Sequence, residues 1–202
     1  MIKVWDPLLR LFHWSLVASI AIAWLTSEDG EALHEWAGYA ALGLIAFRLV
    51  WGLIGPHYAR FTQFICGPKE VITYTRDILG KREKRYIGHN PLGAIMVVAL
   101  LATTAATGVT GWLMVEPERM SMLPEMPAFV TPAYADSDEE REYGEGDEKV
   151  LKDIHELFAN LLLLLIFLHV SGVIYAGRHH KENLARAMVT GKKRAPEHDD
   201  IS

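Results

Sequence analysis

Four histidines, His13, His34, His155 and His169, lie within or at the ends of long apolar runs. An ionisable side chain in such a run is costly to keep in a bilayer, so each is a candidate site residue by default. Neutral imidazole binds transition metals through one ring nitrogen and can donate a hydrogen bond from the other. His155 and His169 are 14 residues apart. At ~3.6 residues per turn and ~1.5 Å rise this is close to four turns, so on a helix both rings project from nearly one face, about 21 Å apart.

The elements that must position these rings are read from the apolar runs. Leu92 to Val115 and Leu157 to Gly177 carry no charge over 24 and 21 residues, and the second contains the block Leu161–Leu165. About 20 apolar residues span a bilayer core as a helix. Leu8 to Leu25 is similar, with Arg10 and His13 near its start, and Ala37 to Phe47 continues past Arg48 to Ile54. The pattern predicts an all-α integral membrane four-helix bundle with helices at about 7–26, 34–54, 90–115 and 150–177. A soluble bundle of buried helices is disfavoured, because two such charge-free runs exceed the ~18-residue threshold.

Lysine and arginine placement orients the bundle. Eight lie between Arg48 and Arg85 and six between Arg178 and Arg194, against none in Thr26–Leu33 and two in Glu116–Glu148. Both termini and the 55–89 loop are expected in the cytoplasm, and the first and third connections outside a bacterial inner membrane. Within 55–89, Val71, Ile72, Tyr74, Thr75, Ile78 and Leu79 fall at helical spacing and predict a short amphipathic helix on the membrane face. The 116–149 connection holds eleven acidic residues with prolines and glycines and is expected to be irregular. Residues 181–202 are expected as a cytoplasmic tail. Asp6, Pro7 and Arg10 ahead of the first run argue against a cleavable leader. Ala133-Tyr134-Ala135 looks like a cleavage site but lies about 20 residues past the third run.

Depth then pairs the histidines. His13 and His169 fall in the inner halves of helices one and four; His34 and His155 fall at the outer side. Two stacked imidazoles on helix four, each with a partner on another helix, suit two axially ligated haems held between the helices. The alternatives are histidines bonded within the core, or a proton or divalent-metal transporter. Transport normally relies on intramembrane carboxylates, and the third and fourth runs have none.

Supporting residues follow. Arg10 and Arg48 near the inner surface could bind anionic haem propionates, or snorkel and fix topology. His89 could bond a propionate or a quinone carbonyl, or simply begin a helix before Asn90-Pro91. Gly38, Gly108 and Gly111 permit close approach of a flat ring or of another helix. Trp5, Trp14, Trp24, Trp36 and Trp112 read as an interfacial belt. The acidic outer loop could dock a basic electron-transfer protein such as a soluble c-type cytochrome, or be merely solvated.

Composition sets the outer limits. The chain has 202 residues, 50% apolar and 22% charged, with net charge −5. That excludes a disordered chain and makes nucleic acid an unexpected partner. The single cysteine, Cys66, forms no internal disulfide and reads as an inert thiol. The absence of a C-x-x-C-H stretch leaves only non-covalent haem.

Several short stretches carry a resemblance. They are Val4-Trp5-Asp6-Pro7, Leu11-Phe12-His13-Trp14, Leu33-His34-Glu35-Trp36-Ala37-Gly38 and Arg48-Leu49-Val50-Trp51-Gly52. Further on come Gly88-His89-Asn90-Pro91-Leu92-Gly93, Thr107-Gly108-Val109-Thr110-Gly111-Trp112, Asp153-Ile154-His155-Glu156 and Phe167-Leu168-His169. In this order, over residues 1–180, they resemble the bacterial cytochrome b561 and Ni,Fe-hydrogenase b-type cytochrome family. The resemblance implies two non-covalent haem b groups, ligated by His13 with His169 and by His34 with His155. It implies a quinone as exchangeable substrate near His169, His89 and Asn90. The implied partner is an outward-facing redox protein, either a c-type cytochrome or a hydrogenase or dehydrogenase subunit. The long acidic outer loop departs from the hydrogenase members. A stand-alone superoxide:quinone oxidoreductase is a further alternative, opposed by the acidic flanks of the outer site.

Overall fold

The structure is a computed structural model and describes residues 1–28, 31–115, 145–198 and 200–201. In chain order the elements are β1 (Ile2–Lys3), α1 (Pro7–Leu25), α2 (Glu31–Ile54), two 3-10 turns, α3 (Pro68–Leu79), α4 (Pro91–Val115), α5 (Glu145–His179), α6 (Leu184–Thr190) and β2 (Lys192–Lys193). The fold is all-α, a membrane bundle. Four of its helices, α1, α2, α4 and α5, are long and apolar enough to cross a bilayer.

Local chemistry starts these helices where they begin. Asp6 caps α1, its Oδ1 accepting from the Leu8 and Leu9 amides at 3.0 Å, with Pro7 in the first turn. Asn90 does the same for α4: its Oδ1 accepts from the Gly93 amide at 2.7 Å, ahead of Pro91. Each cap satisfies amides that have no partner inside the helix. The four spans are apolar around most of their circumference, and Leu53, Ile54, Leu157 and Phe167 remain exposed on the protein's outer faces. In lipid those side chains meet a solvent as apolar as themselves.

Helix α4 is the hub. It packs on α5 and on α2, and α2 packs on α1. Among the described residues, α5 packs closely on no spanning helix except α4. Helix α5 therefore meets the α1–α2 pair through side chains rather than through close backbone packing. Buried Leu9, Phe12, Ile45, Ala59 and Leu101 form a core cluster towards the end that carries residues 1–6 and 180–201, called here the terminal end.

At the terminal end, α3 forms over Pro68–Leu79, as its apolar spacing predicts. It buries Tyr74 and leaves Ile72 and Leu79 exposed. The described residues of the expected 181–202 tail pack against the terminal end. β2 pairs antiparallel with β1, placing Ile2 opposite Lys193 and Lys3 opposite Lys192. The Ile87 amide donates to the Ile201 carbonyl at 2.8 Å, and the Ile201 amide donates to the Arg85 carbonyl at 2.9 Å. Arg85 is buried and pairs with Glu182 and Asp200. The segment folds because buried charges are costly alone and tolerable when paired and hydrogen-bonded.

At the opposite end, α5 begins at Glu145 rather than near 150, so the last acidic residues expected in an irregular loop form its first turns. α2 likewise starts at Glu31, about a turn before the expected 34. Residues 116–144, including most of the acidic connection and Ala133-Tyr134-Ala135, lie outside the described residues.

Candidate haem sites

The structure brings the four histidines together in two pairs. The rings of His13 on α1 and His169 on α5 have centroids 6.5 Å apart. Those of His34 on α2 and His155 on α5 are 6.1 Å apart. The first pair lies towards the terminal end and the second towards the opposite end. Both pairs join α5 to the α1–α2 pair, one through α1 and one through α2.

The pair at the opposite end is oriented by hydrogen bonds. The His34 Nδ1–H donates to the Ala23 carbonyl at 2.8 Å. The Thr110 hydroxyl donates to the carbonyls of Ala106 and Thr107, so its oxygen is left to accept from His155 Nδ1–H at 3.0 Å. With Nδ1 engaged in each ring, Nε2 is the nitrogen that a neutral imidazole would offer to a metal. Gly111 lies under the His155 ring, where a Cβ would sit 3.1 Å from its Cε1.

The pair at the terminal end has cations and unpaired polar atoms around it. Arg48 is 2% exposed, lies 4.6 Å over the Phe61 ring and has an unpartnered Nη1. Gly52 makes room for that ring, because a Cβ there would meet it at 2.1 Å. Trp5 and Phe64 pack on the His89 ring at 4.9 and 4.6 Å, and its Nδ1 is buried without a partner. Burial, then the charges of Arg48, Lys193 and His169, push the His89 imidazole down to about 3, so it stands neutral at pH 7. His13 Nδ1 and Arg10 Nε are likewise buried and unpartnered.

The family model for prokaryotic cytochrome b561 matches residues 4–191. The chain belongs to that family. It is therefore a multi-pass membrane protein of the b-type cytochrome class, a class that binds haem b. Two curated relatives are each 28% identical over 142 residues, covering 55% of this chain. They are described as the probable Ni/Fe-hydrogenase B-type cytochrome subunits of Azotobacter vinelandii and Azotobacter chroococcum mcd 1. The chain spans about 58% of the length of these relatives in the match. No solved structure matches it.

The residues present fit haem. An iron between two facing imidazole nitrogens sets the ring centroids about 6 Å apart, from two metal–nitrogen bonds of about 2 Å and about 1 Å inside each ring. Both observed separations agree. Open space beside Gly38, where nothing lies within 4 Å of a Cβ position, suits the edge of a flat ring. The unpartnered donors of Arg48 and Arg10 suit anionic propionates.

Other sequence-selected residues take different places. Asn90 spends its side-chain oxygen on the α4 cap. Arg10 donates through Nη1 to the Val189 carbonyl and so fastens α6 to α1. Gly108 admits the Leu42 side chain, which a Cβ would meet at 2.6 Å, so it serves α2–α4 packing. Sequence reasoning missed Thr110, Phe61 and Lys193. Thr110 stands in the Thr107–Trp112 stretch, and its four-residue spacing to the Ala106 carbonyl was the only local signal.

Proposed function

We propose that the chain holds two haem b groups, one between His13 and His169 and one between His34 and His155. Through them it relays electrons across the membrane between the quinone pool and an outward-facing redox protein. The observation that carries this reading is the pairing of four imidazoles at two levels, each pair at an iron-bridging separation. Their positions on α5 are about 21 Å apart along a hydrocarbon core about 30 Å thick. Bound haem would supply one-electron iron chemistry. The chain's own residues would supply the ligand nitrogens, and at His34 and His155 the Ala23 carbonyl and the Thr110 hydroxyl orient the rings through Nδ1.

Lysine and arginine bias supports a cytoplasmic terminal end, in a bacterial inner membrane. In this orientation the His13–His169 level, with His89, faces the cytoplasmic side, and the proposed quinone exchange is assigned to that level. The relatives named as hydrogenase cytochrome subunits favour a hydrogenase-type complex as the outer partner over a soluble c-type cytochrome.

The test is haem stoichiometry and its dependence on each pair. The purified protein should give a dithionite-reduced b-type spectrum and two haems per chain by pyridine haemochrome. His13→Ala and His169→Ala should lose the same haem, and His34→Ala and His155→Ala the other. One haem in the unaltered protein, or loss of different haems from His13→Ala and His169→Ala, would overturn the assignment.

A further inference from the structure

Residues 192–201 lie beyond the span matched by the family model, yet they are built into the terminal end. We propose that this segment is a strap that positions His89 and sets the electrostatic environment of the His13–His169 site, with Lys193 and Asp200 as its opposed charges. The inference rests on the reading that a haem occupies that site.

The strap holds the residues just before His89, and the residue that leads into it, Gly191, holds Trp5 against the His89 ring. Before it in sequence, the Trp5 amide donates to the Gly191 carbonyl at 3.2 Å, and the Trp5 ring packs on His89. Beyond it, Lys193 Nζ donates to the Ile87 carbonyl at 2.9 Å and the Tyr86 carbonyl at 3.3 Å. Ile201 closes the same stretch through its two backbone bonds with Arg85 and Ile87. Residues 85–87, immediately before Gly88 and His89, are therefore held by contacts more than one hundred residues away in sequence.

The strap is also charged where charge is costly. Lys193 is 3% exposed. Its Nζ lies 3.4 Å from Glu182, and Arg85 pairs with both Glu182 and Asp200. Two cations and two carboxylates balance, so the cluster sets a near-zero net charge beside the site although its members are buried. The charge of Lys193 is felt at His89, as are those of Arg48 and His169. Removing one member of a balanced cluster leaves a net charge whose sign is that of the opposing members.

Redox titration of the full-length protein, followed by haem absorbance, tests this. Lys193→Met leaves a net negative charge and should favour ferric iron at the His13–His169 site. Asp200→Asn leaves a net positive charge and should favour ferrous iron there. Loss of one buried charge from the cluster should change the reduced-to-oxidised ratio severalfold at a fixed poise, in opposite directions for the two variants. The haem at His34–His155 should not move, and Lys193→Arg should titrate like the unaltered protein. Hydrogen exchange at the Ile87 amide, which reads the strap without reference to haem, should quicken in Lys193→Met. Shifts of the same sign in both variants, or no shift, would overturn the strap's role while leaving the two-haem reading intact. A protein with no haem at His13–His169 would overturn that reading first and the strap's electrostatic role with it.

Discussion

Each proposed axial ligand gains its character from what its second nitrogen does. His155 and His34 both donate Nδ1–H to protein oxygens, while His13 Nδ1 is buried without a partner. A donor bond from the far nitrogen makes an imidazole a more basic ligand and favours ferric iron. Thr110→Val keeps the shape and removes the acceptor. Redox titration should show the haem at His34–His155 easier to reduce and the other unchanged. The lost hydrogen bond should also cost about 0.5–1.5 kcal/mol in thermal or denaturant unfolding, since the Thr107 backbone remains as a partner of His155. The pairing of histidines by depth was readable from chain position alone. Thr110 was not, because a hydroxyl four residues from a carbonyl normally back-bonds in its own helix and signals nothing more.

The helices carry three glycines singled out for one reason, close approach, and each meets something different. Gly108 meets Leu42, Gly111 meets the His155 ring, and Gly38 meets nothing within 4 Å. Gly108→Ala should therefore overpack the α2–α4 contact and cost about 1–3 kcal/mol in unfolding measurements. Gly38→Ala should leave the helix contacts intact and alter haem occupancy or its absorption band instead. A Gly38→Ala protein with unchanged haem and lowered stability would assign that glycine to packing. Helix positions were legible because charge-free runs of bilayer length seldom occur outside spanning helices. Helix ends were less so: α5 starts at Glu145 because the acidic stretch ahead of the apolar run is helix-compatible, although its charge suggested loop.

At the scale of the whole molecule, the two ends are built differently. The terminal end is closed by the buried charged side chains of Glu83, Arg85, Glu182, Lys193 and Asp200. None of this was legible in the sequence, since Arg85 and Asp200 are 115 residues apart and follow no period. Burial opposes ionisation of Glu83, Glu182 and Asp200, but their hydrogen bonds and cationic neighbours outweigh it. All three carboxyls are held below their ordinary range. Carboxyls lowered in the folded state add stability that is complete above the unfolded value of about 4 and is lost as pH falls through the lowered values. Limited proteolysis should leave residues 192–201 protected at neutral pH and release them under acid, before the spanning helices unfold. Orientation can be measured directly: a C-terminal alkaline phosphatase fusion should be inactive and a fluorescent protein fusion bright, as a cytoplasmic terminus requires.

Because α5 alone contributes to both histidine pairs, the stretch between His155 and His169 acts as a spacer whose length matters more than its content. The exposed Leu161, Leu163 and Leu164 can each be exchanged for another apolar residue without disturbing either ring. Adding or deleting a single residue there would swing one ring about 100° away from its mate. Sequence drift in this stretch is thus free in letter and forbidden in count.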